Sequence, residues 1–345
     1  MTNIVRRASR ALLLLAIVVT SFSLLLLATG HAPLRAITAM IDGAFGSWYQ
    51  FTSVTLVRAT PLAFTGLAVS LAFRAGVLNI GAEGQLIAGA AAAAALASQL
   101  TEAGAVAIPS LIVAGCFAGA CWAAIASWLR ARFGVLEVIS TIMLNFVALN
   151  VVGWLVRGPL QEPLRIYPQS PTLPTSLQLP VLLPASRLHV GVTGAILLAI
   201  AMWYWLSRYA SGFRVRAVGA NPFAAETAGQ IRVGKVSAQM FVLSGAIAGL
   251  AGAVEYTGVT YALYENFSPG YGYTAIAVAL LARLDMLAVL GTALFFGALD
   301  AGASAMQRDA GVPNVVVNVV NAMLILAVLA ADRWRYRHIP LEHGT

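Results

Sequence analysis

Residues 106–132 read VAIPSLIVAGCFAGACWAAIASWLRAR, an apolar run that carries no charge before Arg130 and Arg132. A run of about 20 such residues is long enough to cross the hydrocarbon core of a bilayer as a helix. A helix also satisfies all of its backbone polar groups internally, which lipid requires. The stretch therefore predicts a transmembrane helix, and the two arginines mark its end on the cytoplasmic side.

Similar apolar runs recur along the whole chain and predict an all-α integral membrane protein with about ten transmembrane helices. One of them, residues 273–283, is too short to cross about 30 Å by itself. The predicted spans are residues 11–29, 56–73, 83–100, 106–129, 138–156, 189–207, 237–256, 273–283, 287–306 and 314–331.

The composition agrees with this class and excludes two others. Hydrophobic residues make up 60% of the 345 residues and charged residues 10%, whereas soluble domains carry about 25% charged residues. The net charge of +8 does not indicate nucleic-acid binding, because the basic residues are spread over short segments between apolar runs. That distribution follows the positive-inside rule and predicts a multi-pass protein of the plasma (inner) membrane.

The basic segments also predict the topology and the organisation of the chain. They place both termini in the cytoplasm, and the chain then forms a single transmembrane domain over residues 1–345. Its predicted parts are an N-terminal span with an outside interfacial segment (1–55), a core (56–331), a proline-rich outside loop (157–188), a cytoplasmic loop (208–236) and a cytoplasmic tail (332–345).

Two polar motifs interrupt the apolar pattern and are candidates for a translocation pathway. The first lies in RAGVLNIGAEGQ (74–85), where Asn79, Glu83 and Gln85 follow a predicted span. The second is a polar stripe at the start of and along the predicted span 138–156. Its members are Glu137, Ser140, Thr141 and Asn145, of which the last three are pathway candidates. Polar side chains at this depth face the bundle interior or a water-filled cavity. Alternatively, the first motif is a solvated turn, and the stripe makes only hydrogen bonds between helices.

The basic loop contains a predicted short helix and one misleading motif. Asn221 and Pro222 fit the cap and first turn of a helix that ends at Gly229, which suits either docking of a cytoplasmic partner or a simple connection. Residues 229–235 read G-x-x-x-x-G-K, but Val236 replaces the Ser or Thr of a phosphate-binding loop, and the preceding residues are helical in pattern. We therefore predict no ATP site here.

No catalytic constellation, metal-ligand spacing or cofactor motif is evident in the sequence. The chain is accordingly predicted not to be an enzyme by itself, with no cofactor and no bound metal. Any ATP must be hydrolysed by another subunit.

Five stretches resemble the signatures of one family, the permease subunits of ABC importers of the ribose/nucleoside/branched-chain amino acid class. They match that family in order and spacing along residues 55–330. They are VLNIGAEGQLIAGA (77–90), VISTIMLNF (138–146), RAVGANPFAAETAG (216–229), SGAIAGLAGAVE (244–255) and GYGYTAIAVALLARL (270–284).

The resemblance implies a type II-like ABC importer permease fold and several partners. These are a cytoplasmic ABC ATPase, a second homologous permease subunit and an external substrate-binding lipoprotein, in addition to the lipid bilayer. It also implies an ATPase-coupling helix. The family's coupling residues carry over to Gly219, Asn221, Pro222, Ala224, Ala225 and Gly229. The chain departs from the family pattern at Glu226-Thr227 and at Asp285-Met286.

The sequence therefore predicts half of the translocation pathway of an ATP-driven importer for a small polar solute. The resemblance is to the nucleoside and simple-sugar branch, so a nucleoside or simple sugar is the expected solute. The alternatives are a branched-chain amino acid permease and a secondary transporter driven by an ion gradient, for which Glu83 and Glu255 are the available intramembrane acids.

Overall fold

The computed structural model describes residues 19–100, 106–229 and 231–313, together with the single positions 16, 315 and 319. Within these residues the secondary structure is helical, apart from turns, the long loop over residues 158–190 and two isolated β-bridges. The helices are α1 Val19–Ala28, α2 Pro33–Phe45, α3 Trp48–Arg74, α4 Ala82–Ala97, α5 Ala107–Phe133, α6 Glu137–Arg157, α7 Gly191–Arg208, α8 Ala210–Ala220, α9 Pro222–Gly229, α10 Val233–Glu255, α11 Tyr271–Leu281 and α12 Met286–Ala310.

Six of the described helices are long and apolar enough to cross a membrane, namely α3, α5, α6, α7, α10 and α12. Helices α1 and α2 meet at a bend of 120° and together could form one more span. Each predicted span between 56 and 306 coincides with a helix. The predicted span 314–331 lies outside the described residues except for 315 and 319, so ten spans stay a prediction.

Two short apolar helices, α4 and α11, lie inside the bundle. At 1.5 Å per residue, the 16 residues of α4 reach about 24 Å and the 11 residues of α11 about 17 Å. Most of their side chains are buried. A helix shorter than the hydrocarbon layer leaves irregular backbone at membrane depth, which is tolerated only where protein surrounds it. The turns beside these helices are therefore where polar groups must find partners within the chain.

The link between α11 and α12 is a tight turn. Arg283 and Leu284 have positive φ angles of 53° and 60°. Asp285 then caps α12, because its Oδ1 accepts hydrogen bonds from the N–H groups of Leu287 (3.1 Å) and Ala288 (3.0 Å). The Asp285-Met286 departure from the family pattern thus provides the start of a helix.

Helix α10 packs backbone to backbone on α4 and α5 along a seam of small residues. A methyl group added at Gly89 would overlap the backbone of Gly249, and one at Gly119 would overlap that of Gly245. At Gly252 it would overlap Leu86. Small residues allow such close approach where lipid supplies no hydrophobic drive between helices. The glycines at 115, 119, 245 and 249 thus allow these helices to pack closely.

The described residues fall into two compact units, one formed by those up to residue 51 together with those from residue 298 onward, and one formed by those within 52–297. In the first unit, α1, α2 and the last turns of α12 share an apolar cluster that includes Phe22, Leu26, Ala36 and Met306. Gly43 and Gly302 let α2 and α12 approach closely within this unit, because added methyl groups would overlap Ala305 and Met40. The candidate sites all lie in the second unit.

The proline-rich loop is ordered and attached to the end of α10. The N–H groups of Ser170, Leu173 and Leu179 donate hydrogen bonds of 2.7–2.9 Å to carbonyl groups between Thr257 and Leu263. Extended backbone without its own helix needs such external partners. The prolines therefore give a fixed extended segment.

Candidate translocation and coupling sites

Asn79 lies at the centre of a buried hydrogen-bond network. Its Nδ2 donates to Oε1 of Gln85 and to Oγ of Ser244, each at 2.9 Å. Its Oδ1 accepts from Gln85 Nε2 (3.1 Å) and from the N–H of Gly81 (2.9 Å). Ser244 in turn donates to the carbonyl of Ala68 at 2.7 Å. The network joins the turn between α3 and α4 to α10.

Asn145 joins the same turn to α6. Its Oδ1 accepts the N–H of Gly84 at 2.9 Å, and its Nδ2 donates to the carbonyl of Ile80 at 2.9 Å and to the hydroxyl of Tyr273 at 3.3 Å. Asn145 has no exposed surface, whereas Tyr273 is 42% exposed. The side-chain amide of Asn145 thus forms hydrogen bonds with backbone groups that the short helix α4 leaves unpaired.

Glu83 joins α4 to the first turn of α11. Its Oε2 accepts the N–H of Gly272 at 2.6 Å, and Ser268 and Gly270 also donate to the carboxylate. A carboxylate at a helix N-terminus is favoured by the helix dipole. Gly272 is required here, because a methyl group at that position would overlap the backbone of Glu83.

Ser140 and Thr141 occupy the same side of α6 but make local hydrogen bonds. Both hydroxyl groups donate to the carbonyl of Glu137 one turn earlier, at 3.1 and 2.7 Å. The six predicted pathway residues are all buried. Four of them, Asn79, Glu83, Gln85 and Asn145, converge on the short helix α4. Sequence reasoning missed Tyr273, the partly exposed tyrosine whose hydroxyl contacts this cluster.

Helices α8 and α9 form the predicted coupling region. The Oδ1 of Asn221 accepts the N–H of Ala224 at 3.0 Å, which confirms the predicted helix cap. Ala225 is buried, while Phe223 beside it is 76% exposed. Helix α9 thus turns one side toward the protein and offers an aromatic side chain on the other.

Gly219 connects this region to the turn below the polar cluster. A side chain at Gly219 would overlap the carbonyl of Arg74, and Gly76 follows with a positive φ of 74°. Both glycines are therefore required by the contact. From Gly76 the chain continues directly to Asn79.

The segment with the spacing of a phosphate-binding loop does not have that structure. Helix α9 precedes it and ends at Gly229, where the nucleotide motif needs a strand, and α10 begins at Val233. The geometry agrees with the prediction that ATP does not bind here.

Two further ionisable groups lie where the proline-rich loop meets α10. Tyr271 donates a hydrogen bond to the buried Glu255, and Arg58 and Arg187 lie within electrostatic range of that carboxylate. His189 is buried against Gly191 and Gly258. Its Nδ1 accepts the N–H of Gly191 at 3.1 Å.

Burial, with a smaller effect from Arg187, lowers the pKa of His189 to about 4. Since the unfolded chain would bind this proton near pH 6.5, the folded state binds fewer protons between these two values. The contribution of His189 to stability is therefore complete above pH 6.5 and is lost as the pH falls toward 4.

Comparison with known proteins gives the family. The family model described as branched-chain amino acid transport system / permease component matches residues 51–329. No solved structure matches the chain.

Curated relatives match over most of their length. The glucose ABC transporter permease protein TsgB13 of Haloferax volcanii is 37% identical over 90% of this chain and 84% of its own. The guanosine ABC transporter permease protein NupP of Bacillus subtilis is 36% identical over 91% and 90%. A second guanosine permease protein of the same organism, NupQ, is 31% identical over 80% and 89%.

These matches agree with the apolar helices, the short buried helix α4 and the capped helix α9 of the structure. Proteins of this kind form the pore, and ATP is hydrolysed by a separate subunit. They are multi-pass proteins of the inner membrane. The chain therefore belongs to the family of branched-chain amino acid transport system permease components, and it is a transmembrane permease subunit of an ABC importer.

Proposed function

We propose that the chain forms half of the translocation pathway for a nucleoside or simple sugar. The observation that carries this proposal is its similarity, over most of its length, to permeases named for guanosine and for glucose. The uncharged hydrogen-bonding groups of the polar cluster support it. A neutral polyhydroxy solute must replace its hydrogen bonds when it leaves water, and amides and hydroxyls can do so.

Uptake in cells that lack this gene tests the solute. We expect accumulation of labelled guanosine or glucose to fall to background and to return when the wild-type gene is restored. Labelled leucine is the matched control, since the family description names branched-chain amino acids. Loss of leucine uptake with normal guanosine and glucose uptake would reject the proposed solute and leave the permease assignment intact.

We place the pathway beside the edge of the polar cluster that Tyr273 occupies. Thr141 and Asn145 lie behind this edge, buried in the described conformation, and border the pathway when the bundle opens. Water-soluble thiol reagents should label Tyr273→Cys in a cysteine-free background, and the solute should slow the reaction. Thr141→Cys should react only during turnover.

Phe117→Cys is the control for this labelling. Phe117 is exposed and apolar on α5, so we expect it to react only with lipid-soluble reagents. Equal reaction of both cysteines with the water-soluble reagent, without protection of Tyr273→Cys by solute, would place the pathway elsewhere.

The proposed assembly has both termini of the chain in the cytoplasm and ten spans, in a type II-like permease fold. An ABC ATPase docks on α9, and Gly219, Asn221, Pro222, Ala224, Ala225 and Gly229 form and position that helix. A second, homologous permease completes the pore, as the two guanosine permease proteins of Bacillus subtilis suggest. An external substrate-binding lipoprotein delivers the solute. Family membership favours this ATP-driven arrangement over an ion-gradient-driven transporter.

A further inference from the structure

Three cationic side chains converge on one pocket beside the start of α10. Arg214 comes from α8, Arg232 directly precedes α10, and Lys235 lies in its first turn. Gln239 adds an amide one turn further along. The pocket has a volume of about 440 Å³. It is open to solvent, and each of these four side chains is exposed.

The pocket collects positive charge with nothing in the described chain to balance it. No acidic residue lines it. Among the described residues, no ion pair involves the three cations. Their mutual repulsion favours an anion between them.

The helix that begins here adds to the same field. Helix α10 runs for 23 residues, and no side chain caps its first turn. The dipole of such a helix end favours a negative group beside it. The three cations and the helix end together have the chemistry that holds a phosphate.

The surroundings of the pocket indicate the level of lipid headgroups. Three aromatic side chains are exposed between the last turns of α7 and Arg214. They are Tyr204, Tyr209 and Phe213. Exposed aromatic residues at the end of a membrane span are typical of the membrane–water interface. Basic pockets at this level bind anionic lipid headgroups.

We propose that this pocket binds the phosphate group of an anionic phospholipid. Residues 229–235 have the G-x-x-x-x-G-K spacing of a nucleotide site, but no strand precedes them. Here this spacing gives a basic loop that leads into the first turn of α10. Gly229, the last residue of α9, also lines the pocket. A bound lipid therefore braces α8 and α10 next to the helix on which we place the ATPase.

Native mass spectrometry of the full-length chain in its transporter complex tests the proposal with dioleoylphosphatidylglycerol and dioleoylphosphatidylcholine as probes. The wild type should retain phosphatidylglycerol on the order of a hundredfold more tightly, since each of the three basic residues strengthens binding by a factor of about five. The double variant Arg232→Gln/Lys235→Gln should lose this preference. Lys235→Arg should keep it, because the positive charge remains.

The matched control is Arg132→Gln/Arg208→Gln, which removes the same charge from exposed positions that do not line the pocket. It should retain phosphatidylglycerol as the wild type does. An equal loss in both double variants would overturn the proposal in favour of diffuse surface charge. Size-exclusion chromatography of each complex verifies that the variants are assembled.

A second arm distinguishes lipid from soluble phosphate. Delipidated complex is reloaded with phosphatidylglycerol and titrated with inorganic phosphate, and millimolar phosphate should not displace the lipid from the wild type. Displacement at that concentration, or phosphate binding that depends on Arg232 and Lys235 without any lipid preference, would overturn the lipid as the occupant.

Discussion

Replacement of Asn145 by leucine should abolish transport and strongly destabilise the chain. The substitution leaves the buried N–H of Gly84 and carbonyl of Ile80 without their partner. Each unsatisfied buried group costs about 1–3 kcal/mol, so the expected loss is about 2–6 kcal/mol. Solute uptake and the midpoint of thermal unfolding in detergent measure the two effects.

The control for stability lies on the same helix. Asn150 is exposed, and its Nδ2 donates only to the carbonyl of Phe146 within α6. Asn150→Leu should therefore unfold within a few degrees of the wild type. Equal unfolding midpoints for the two variants would show that the Asn145 amide does not hold the turn before α4.

Replacement of Gly219 by valine should uncouple ATP hydrolysis from transport. The new side chain would overlap the carbonyl of Arg74, so α8 must move away from the turn that leads to Asn79. We expect the purified complex to hydrolyse ATP at a rate near that of the wild type, while uptake into proteoliposomes falls at least tenfold.

Gly291→Val is the matched control for this substitution. Gly291 also lies within a helix, but an added side chain there meets no atom within 4 Å. Its uptake should equal that of the wild type. Normal uptake by Gly219→Val would show that the contact between α8 and Arg74 does not couple ATP hydrolysis to transport.

The spans were predictable from sequence because apolar length is a local property. The run 106–129 and helix α5 agree closely, and Asn221 was found because a helix cap depends on neighbours in the chain. The partner of each polar group in the cluster was not predictable. Asn79 bonds to Ser244 and Asn145 to Gly84, and these residues are far apart in sequence.

The same limit applies to Tyr273 and to the basic pocket. Tyr273 stands in an apolar stretch, and it reaches Asn145 of α6 only because α11 packs on α3 and α4. Arg214 and Lys235 looked like two members of a basic loop, and only the folding of α8 back toward α10 brings them to one pocket. The residue types were visible in the sequence, but their distances from one another were not.

The attachment of the proline-rich loop to α10 has a mechanical consequence. Residues 233–260 form one continuous helical rod of 28 residues, about 42 Å long at 1.5 Å per residue. Its first turn borders the basic pocket, and its last turn and the residues that follow it up to Leu263 accept the backbone hydrogen bonds of the loop. A rod of this length acts as a lever: a tilt of about 10° about one end moves the other by about 7 Å. A small rotation imposed at one membrane face would thus displace the loop at the opposite face by more than a helical turn.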